Sequence, residues 1–389
     1  MPPAQQATVS ARGALRWSSG HPWIFRSDVT ERPAGGPGVA VVGDSRGKPL
    51  GVALWSPSSE ISLRLLDRDP SAIIDADWWT ARLSRAIARR SGLAARTTAC
   101  RLVHGEGDLL PSLVCDRYGD WLVVQLLSAG IDHFRDVIVQ VLLNLTGARG
   151  ILGRNDAAVR AREGLPRETT VLAGDVPDEI VVDEHGVRYL AAPRTGQKTG
   201  AFLDQRENRV MIGELARGRS LDCFSYHGSF ALHLARRATT VIAVDSSAEA
   251  LERASRNAAL NGAGNISFVE GNAFDVLREY ERAGERFETI VVDPPAFAKT
   301  RGSLGNALRG YHEINLRAMR LLAPGGLLFT ASCSYHLSRP RFLEMLEGAA
   351  QDSGRQLALR SITGQPLDHP EIITVPESGY LKGALLEAM

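Results

Sequence analysis

Five segments in the second half of the chain combine acids, small residues, a proline pair and a cysteine in an order that carries chemistry. The first is Asp222-Cys223-Phe224-Ser225-Tyr226-His227-Gly228-Ser229-Phe230, a turn into a helix whose small residues let backbone approach a ligand. It lacks the GxGxxG spacing that a dinucleotide pyrophosphate requires, which argues against NAD. The second is Asp245, followed by Ser246. An ionised carboxylate only accepts hydrogen bonds and can hold both hydroxyls of a ribose, although a helix N-cap is the competing role for such an acid. The third, Gly271-Asn272-Ala273-Phe274, offers an amide to an adenine edge with an aromatic ring nearby. The fourth, Asp293-Pro294-Pro295-Ala296-Phe297, is a rigid extended turn that presents Asp293 and its flanking carbonyls to a planar substrate. Their order and spacing are those of a methyltransferase that uses S-adenosylmethionine. The cofactor is expected on Asp222, Phe224, Ser225, Tyr226, Gly228, Asp245, Ser246, Asn272, Ala273 and Asp293. The substrate is expected on Pro294, Pro295, Phe297 and Lys299.

The fifth segment is Ser332-Cys333-Ser334-Tyr335-His336. In this fold the fourth and fifth strands are neighbours, so Asp293 and Cys333 should face one pocket. A thiol there has a use, because C5 of cytosine is a poor carbon nucleophile until something adds to C6. The expected course is attack of Cys333 on C6, methylation at C5, loss of the C5 proton and expulsion of the thiolate. Asp293 would hold the N3/N4 edge and stabilise charge there. A free thiol is only a few per cent ionised at neutral pH, so its surroundings must activate it. The competing reading of Cys333 is a small buried residue at a strand end. Cys223 is read as packing, and Cys100 and Cys115 as structural. In amino-methylating enzymes with this proline pair the aromatic follows at once; here Ala296 intervenes, which weakens an exocyclic-amine acceptor.

The elements that must position these residues follow from periodicity. After about residue 195 helices and strands alternate: helix 204–216, strand 220–223, helix 229–235, strand 240–245, helix 248–261, strand 266–270 and strand 289–293. A helix over 311–322, ended by Pro324-Gly325-Gly326, leads to strand 327–330. Such alternation with apolar strands predicts an α/β fold, a doubly wound and mostly parallel sheet covered on both faces. In such a sheet ligands bind beyond the carboxyl ends of the strands. Upstream, short runs such as Trp23-Ile24-Phe25 and Val39-Ala40-Val41-Val42, with a turn at 45–48 and strands over 51–55 and 61–66, predict a small β-barrel. Between them, helix 77–91, strands near 113–115 and 121–127, helix 134–145, strand 150–152 and a hairpin around Glu184-His185-Gly186 predict an α+β region. The expected domains are 1–75, 76–190 and 191–389.

The 389 residues carry 44% hydrophobic and 23% charged side chains and a net charge of +1, which makes no global case for a polyanionic partner. The longest apolar runs fall short of the ~20 residues a membrane helix needs, and the start lacks a secretory pattern, so a cytoplasmic protein is expected. The four cysteines show neither metal-site spacing nor a disulfide framework. One stretch stands out: Arg82, Arg85, Arg89, Arg90, Arg96 and Arg101 occur between Trp78 and Gly105 without an acid. An exposed helix face and an RNA track are both open.

The run Arg194-Thr195-Gly196-Gln197-Lys198-Thr199-Gly200-Ala201-Phe202-Leu203-Asp204-Gln205-Arg206, together with the strand-end segments and Tyr380-Leu381-Lys382-Gly383, resembles the bacterial large-subunit ribosomal RNA 5-methylcytosine methyltransferases. Gly20-His21-Pro22-Trp23-Ile24-Phe25 is similar to the opening of that family's PUA domain, a small RNA-binding barrel. His104-Gly105-Glu106-Gly107-Asp108 and Asp116-Arg117-Tyr118-Gly119-Asp120 carry the likeness through the middle region. The resemblance implies that Phe202, Gln205 and Arg206 sit on a helix that helps cover the cofactor and that Cys333 is the nucleophile. It further implies a substrate in 23S ribosomal RNA or a large-subunit precursor, and leaves a homodimer open. Lysine is rare, at Lys48, Lys198, Lys299 and Lys382, and three of the four fall in these segments. Two departures bear on function. There is no Pro-Cys at Asp293-Pro294-Pro295, so a second cysteine cannot serve product release. Related enzymes also methylate guanine, so another RNA base, a non-RNA substrate and a non-catalytic assembly factor are the alternatives.

Overall fold

Short β-type runs separated by Gly, Pro and Ser become six paired strands in the computed structural model, which describes residues 5–298, 302 and 304–389. The chain forms two units by its internal contacts. The first draws on the chain up to Val182, on Ala191–Leu203 and on Leu367–Ser378; the second comprises Asp183–Leu190, Asp204–Pro366 and Gly379–Met389.

In the first unit, Trp23–Phe25, Gly38–Asp44, Pro49–Trp55 and Ile61–Asp67 form the strands expected from sequence. Gln5–Val9 and Val29–Glu31 complete the sheet, and helix Ala11–Ser18 starts on the Ser10 hydroxyl, which accepts from Gly13 N. Asp44 Oδ1 closes the predicted turn by accepting from Arg46 N and Lys48 N, each at 2.9 Å. A second sheet pairs Ala99–His104, Leu113–Tyr118, Trp121–Leu126, Gly150–Asn155 and Glu168–Gly174. Helix Ala76–Ala88, capped by the Asp75 carboxylate, turns Trp79, Leu83 and Ala86 inward. Val52, Leu54 and Leu66 of the first sheet enter the same apolar cluster as Trp79, Leu102 and Val124, so the two sheets share a core.

Four of the six arginines in the arginine-rich stretch are drawn into ion pairs within the fold, while Arg85 and Arg96 lie exposed. Arg90, only 3% exposed, holds both oxygens of Asp108 at 2.6 and 2.7 Å. Arg101 holds both oxygens of Asp116, each at 2.8 Å, Arg82 pairs with Asp67, and Arg89 adds to Asp108. The acids come from other strands and turns, which is why the stretch looks unpaired in sequence. Asp116 Oδ2 also accepts from Thr199 Oγ1, and Tyr118 Oη lies 2.9 Å from the same hydroxyl. The run from Arg194 to Phe202 is therefore anchored on the Asp116–Tyr118 strand.

The second unit holds a seven-stranded sheet. Its strands are β1 (Arg219–Cys223), β2 (Thr240–Asp245), β3 (Ile266–Glu270), β4 (Phe287–Val292), β5 (Leu322–Ser332), β6 (Leu357–Thr363) and β7 (Lys382–Ala388). The spatial order is β3-β2-β1-β4-β5-β7-β6, with β7 antiparallel to both neighbours and the other pairs parallel. Val291 and Val292 of β4, Phe329 of β5 and Val244 of β2 are fully buried, as strands covered on both faces require. The strand order reverses between β1 and β4, which opens a crevice at their carboxyl ends.

Three expectations differ in detail. The predicted helix 204–216 is a 3-10 turn, Leu203–Gln205, followed by helix Arg206–Leu215. The helix before β5 is longer than expected, Leu304–Arg320. Pro324-Gly325-Gly326 does not end it but lies within β5, where the pairing with β4 jumps from Phe287↔Leu322 to Thr289↔Leu327. A bulge absorbs the proline without breaking the strand.

Candidate active site

The loop after β1 is built from strained backbone and unsatisfied polar atoms. Phe224 and Tyr226 have φ of 63° and 50°, the left-handed region that non-glycine residues rarely occupy. Asp245 at the end of β2 holds this shape, its Oδ2 accepting from Tyr226 N at 2.8 Å while Ser225 N donates to Val244 O. Gly228, at φ 81°, follows, and a Cβ there would lie 3.0 Å from that of Ala254. Asp222 is wholly buried; its Oδ2 accepts from Ala231 N at 2.9 Å, and its Oδ1 has no partner among the described residues. Burial first, and then the nearby Asp293 and Asp245 carboxylates, push the Asp222 carboxyl well above its ordinary range. Ser225 Oγ and both ring nitrogens of buried His227 likewise find no partner among the described residues. Burial, aided by Arg209, depresses the His227 imidazole to about 3, so the ring is neutral.

A buried ion pair supports this loop. Arg209 donates to both oxygens of Glu184, at 2.7 and 2.6 Å, and His233 Nε2 lies 3.1 Å from the same carboxylate. Burial alone would raise the Glu184 carboxyl; Arg209 and His233 more than offset that and hold it well below its ordinary range. Tyr189 stacks on His227 at 5.1 Å, fixing the ring from the other side.

The competing N-cap role for Asp245 falls to Ser247, whose hydroxyl accepts from Ala250 N while its own N–H donates to Asp245 Oδ1 at 3.0 Å. Asp245 is thus left at the crevice, and Ser246 beside it is exposed. Asn272 does cap a helix: its Oδ1 accepts from Phe274 N at 2.9 Å, and Ala273 is the buried first residue. Its side-chain N–H groups are what it can offer an adenine edge.

Asp293 directly follows β4 and accepts from Gln205 Nε2 at 2.8 Å, while Asn208 Nδ2 fixes Gln205 Oε1 at 2.6 Å. Arg206 opens the following helix fully buried, its guanidinium on Glu207. Phe202 is not on that helix. It belongs to the first unit, where the Lys198 ammonium lies 4.6 Å from its ring centre. Pro294 is buried and Pro295 exposed. The Phe297 ring is half-buried among aromatics, 4.6 Å from Tyr311, 6.0 Å from Phe274 and 6.5 Å from Phe224. Its packing stabilises the proline turn. Lys299 lies outside the described residues.

Val292 pairs with Thr330, so β4 and β5 end side by side and lead into Asp293 and Ser332-Cys333-Ser334. Cys333 is partly exposed, whereas Cys100, Cys115 and Cys223 are buried. Burial raises the Cys223 thiol well above its ordinary value, which makes it inert. Ser334 Oγ is held by Tyr311 Oη at 2.8 Å and by Ala298 N at 3.1 Å, tying the cysteine turn to the proline turn. Sequence reasoning assigns no role to Ser334, to the half-exposed Tyr335 or to Lys382. Their adjacency to Cys333 in chain or sheet is the signal that could have found them.

These residues fit S-adenosylmethionine. Asp222, raised by the neighbouring Asp293 and Asp245 and with one oxygen unpaired among the described residues, matches a ligand that carries an ammonium and a sulfonium.

Comparison with known proteins agrees. The family of S-adenosylmethionine-dependent methyltransferases matches residues 100–379, and the PUA-like domain matches residues 7–68. This is an S-adenosylmethionine-dependent methyltransferase with a PUA-like N-terminal domain. A protein of Aeromonas hydrophila named ribosomal RNA large subunit methyltransferase I is 42% identical over 382 residues, 95% of each chain. Its namesake in Shewanella amazonensis is 40% identical over 373 residues, covering 93% of this chain and 94% of that one. The chain belongs to this family of large-subunit ribosomal RNA methyltransferases. A methyltransferase of Streptococcus mutans superposes with a TM-score of 0.83 at 20% identity, over 98% of this chain and all of that one, and so shares the fold. Among the described residues no helix is long and apolar enough to cross a membrane.

Proposed function

We propose that the enzyme makes 5-methylcytidine in 23S ribosomal RNA through a covalent adduct between Cys333 and C6 of the target base. The observation that carries this reading is the placement of Asp293 and Cys333 at the ends of paired parallel strands, with Cys333 partly exposed beside them. Asp222, Asp245, the Phe224–Gly228 loop and Asn272 are the residues that would hold S-adenosylmethionine, with Ser246 and Ala273 beside them. When bound, it supplies a methyl group on a cationic sulfur that leaves as a neutral thioether.

The protein's own part begins with the target base in the crevice. Asp293, oriented by Gln205, accepts from the N4 amino group and holds the N3/N4 edge in place while charge develops there. The Cys333 thiolate adds to C6, and the electrons of the C5–C6 double bond make C5 the nucleophile. Once C5 carries the methyl group, its proton passes to solvent water, the electrons of that C–H bond restore the C5–C6 double bond, the C6–S bond breaks and Cys333 leaves as thiolate. Pro294 and Pro295 keep the Asp293 turn extended, and Tyr335 offers an exposed ring to the base. Residues 1–75 would bring the RNA, 76–190 would support it, and 191–389 would carry the chemistry.

Bisulfite sequencing of ribosomal RNA from cells with and without the gene should show one cytosine losing protection, and an unchanged cytosine map overturns the base assignment. Cys333→Ala should lower methylation by at least about 10³-fold with S-adenosylhomocysteine affinity within about threefold of wild type. RNA with 5-fluorocytidine should be trapped covalently by the wild type and not by the variant. Methylation retained in Cys333→Ala points to another acceptor, guanine among them.

A further inference from the structure

We infer that Lys382 is a positioning residue for the Cys333 thiolate, its ammonium placed to hold positive charge beside the sulfur that attacks the base. This deepens the nucleophile reading above and rests on it.

Lys382 lies opposite Ser332 in the antiparallel pairing of β5 and β7, one residue from Cys333. It does not reach for solvent and is only 3% exposed. Its Nζ instead donates at 2.7 Å to the Ser334 carbonyl and at 2.7 Å to the Tyr380 carbonyl. The ammonium is thus bonded to the residue that follows Cys333 and paired across the sheet with the one that precedes it. Tyr311 grips the Ser334 hydroxyl from the helix Leu304–Arg320, so the turn is fixed on more than one side.

A buried cation is costly unless an anion compensates it. Two carbonyls satisfy donors but carry no charge, and none of the contacts of Lys382 among the described residues is to a carboxylate. The charged or titratable groups that face it are Cys333 on its own sheet and Arg339 at the start of the following helix; Tyr311 faces Cys333 from the helix opposite. Cys333 is therefore the neighbour that can supply the missing negative charge. Burial pulls the ammonium down to about 8, Cys333 acts upward on it and Arg339 downward, so it is still mostly protonated at neutral pH. In a chain with 45 basic residues of which four are lysine, this position holds a compact ammonium.

The test is the pH profile of Cys333 alkylation by iodoacetamide in the full chain, read by peptide mass spectrometry. Lys382→Met should move the midpoint upward by about one pH unit and slow alkylation at pH 7 by about tenfold, while Lys382→Arg should stay within about threefold of wild type. Superimposable profiles for wild type and Lys382→Met, both binding S-adenosylhomocysteine, overturn the inference. Should Lys382→Met fail to fold, the reciprocal titration decides. In lysine-labelled protein the Lys382 Cε resonance should titrate lower in Cys333→Ser than in wild type, and an equal midpoint overturns the coupling. Neither readout needs turnover, so a Cys333→Ala enzyme that still methylates would remove the nucleophile reading without deciding these titrations.

Discussion

Two sets of buried polar side chains, one drawn from each unit, differ in what surrounds them. In the first unit Arg90 and Arg101 each grip a carboxylate through two hydrogen bonds, and Thr199 and His104 N supply further donors to Asp116 and Asp108. In the second unit Asp222 keeps an oxygen, Ser225 a hydroxyl and His227 two nitrogens without partners among the described residues. A satisfied buried network fixes a fold, whereas unpaired polar groups gathered at the ends of parallel strands suit the binding of a polar ligand. The segments His104–Asp108 and Asp116–Asp120 also carry the family likeness, yet Asp108 and Asp116 are spent on structure.

The comparison is broken most forcefully at Asp116. Asp116→Ala leaves the Arg101 guanidinium, which is only 12% exposed, without its anion and removes the acceptor for Thr199. A loss of about 3–5 kcal/mol in unfolding free energy is expected from chemical denaturation. A folded variant should bind S-adenosylhomocysteine as wild type does. A stable variant that has lost cofactor affinity would erase the distinction between the two sets.

What was legible in the sequence follows the same division. Asp222, Asp245, Asp293 and Cys333 could be placed because each ends a strand, and an open parallel sheet gathers its strand ends in one crevice. The pairs Arg90–Asp108 and Arg101–Asp116 could not, because a salt bridge between residues 18 and 15 positions apart depends on how two strands and a turn meet. The arginines therefore looked unpaired. The left-handed backbone at Phe224 and Tyr226 left no trace either, since such turns are signalled by glycine and here Asp245 enforces them. The family resemblance puts Phe202 on the following helix, whereas it lies in the Ala191–Leu203 segment of the first unit and the chain returns to the second unit at Asp204.

Asp245 is the next point of leverage, a group that both shapes the loop and faces the crevice. Asp245→Asn keeps an acceptor for Tyr226 N but loses the charge and one acceptor for a diol. S-adenosylhomocysteine affinity should fall by about 10–100-fold in calorimetry, about 1.4–2.8 kcal/mol, with the melting temperature nearly unchanged. A large drop in stability with intact affinity would assign Asp245 to the satisfied set.

The finest distinction lies at Asp222, because there the missing partner has a sign. Its carboxyl is raised by burial and by Asp293 and Asp245, so it folds most comfortably in the protonated form. The stability it contributes is fully present below the unfolded value near 4 and is lost as pH rises toward and through the raised folded value. Asp222→Asn keeps the acceptor for Ala231 N and removes the titration. The variant and the wild type should be equally stable near pH 4, and the variant should gain about 1 kcal/mol for each pH unit above it until the folded carboxyl ionises. A cationic ligand reverses the preference by stabilising the carboxylate, so binding of S-adenosylmethionine to the wild type should release protons and tighten as pH rises, and the variant should show neither effect. Thermal melts between pH 4 and pH 8.5, with and without S-adenosylmethionine, read both slopes. Parallel curves for the two proteins would mean that Asp222 is satisfied after all and that the strand ends differ from the arginine network only in position.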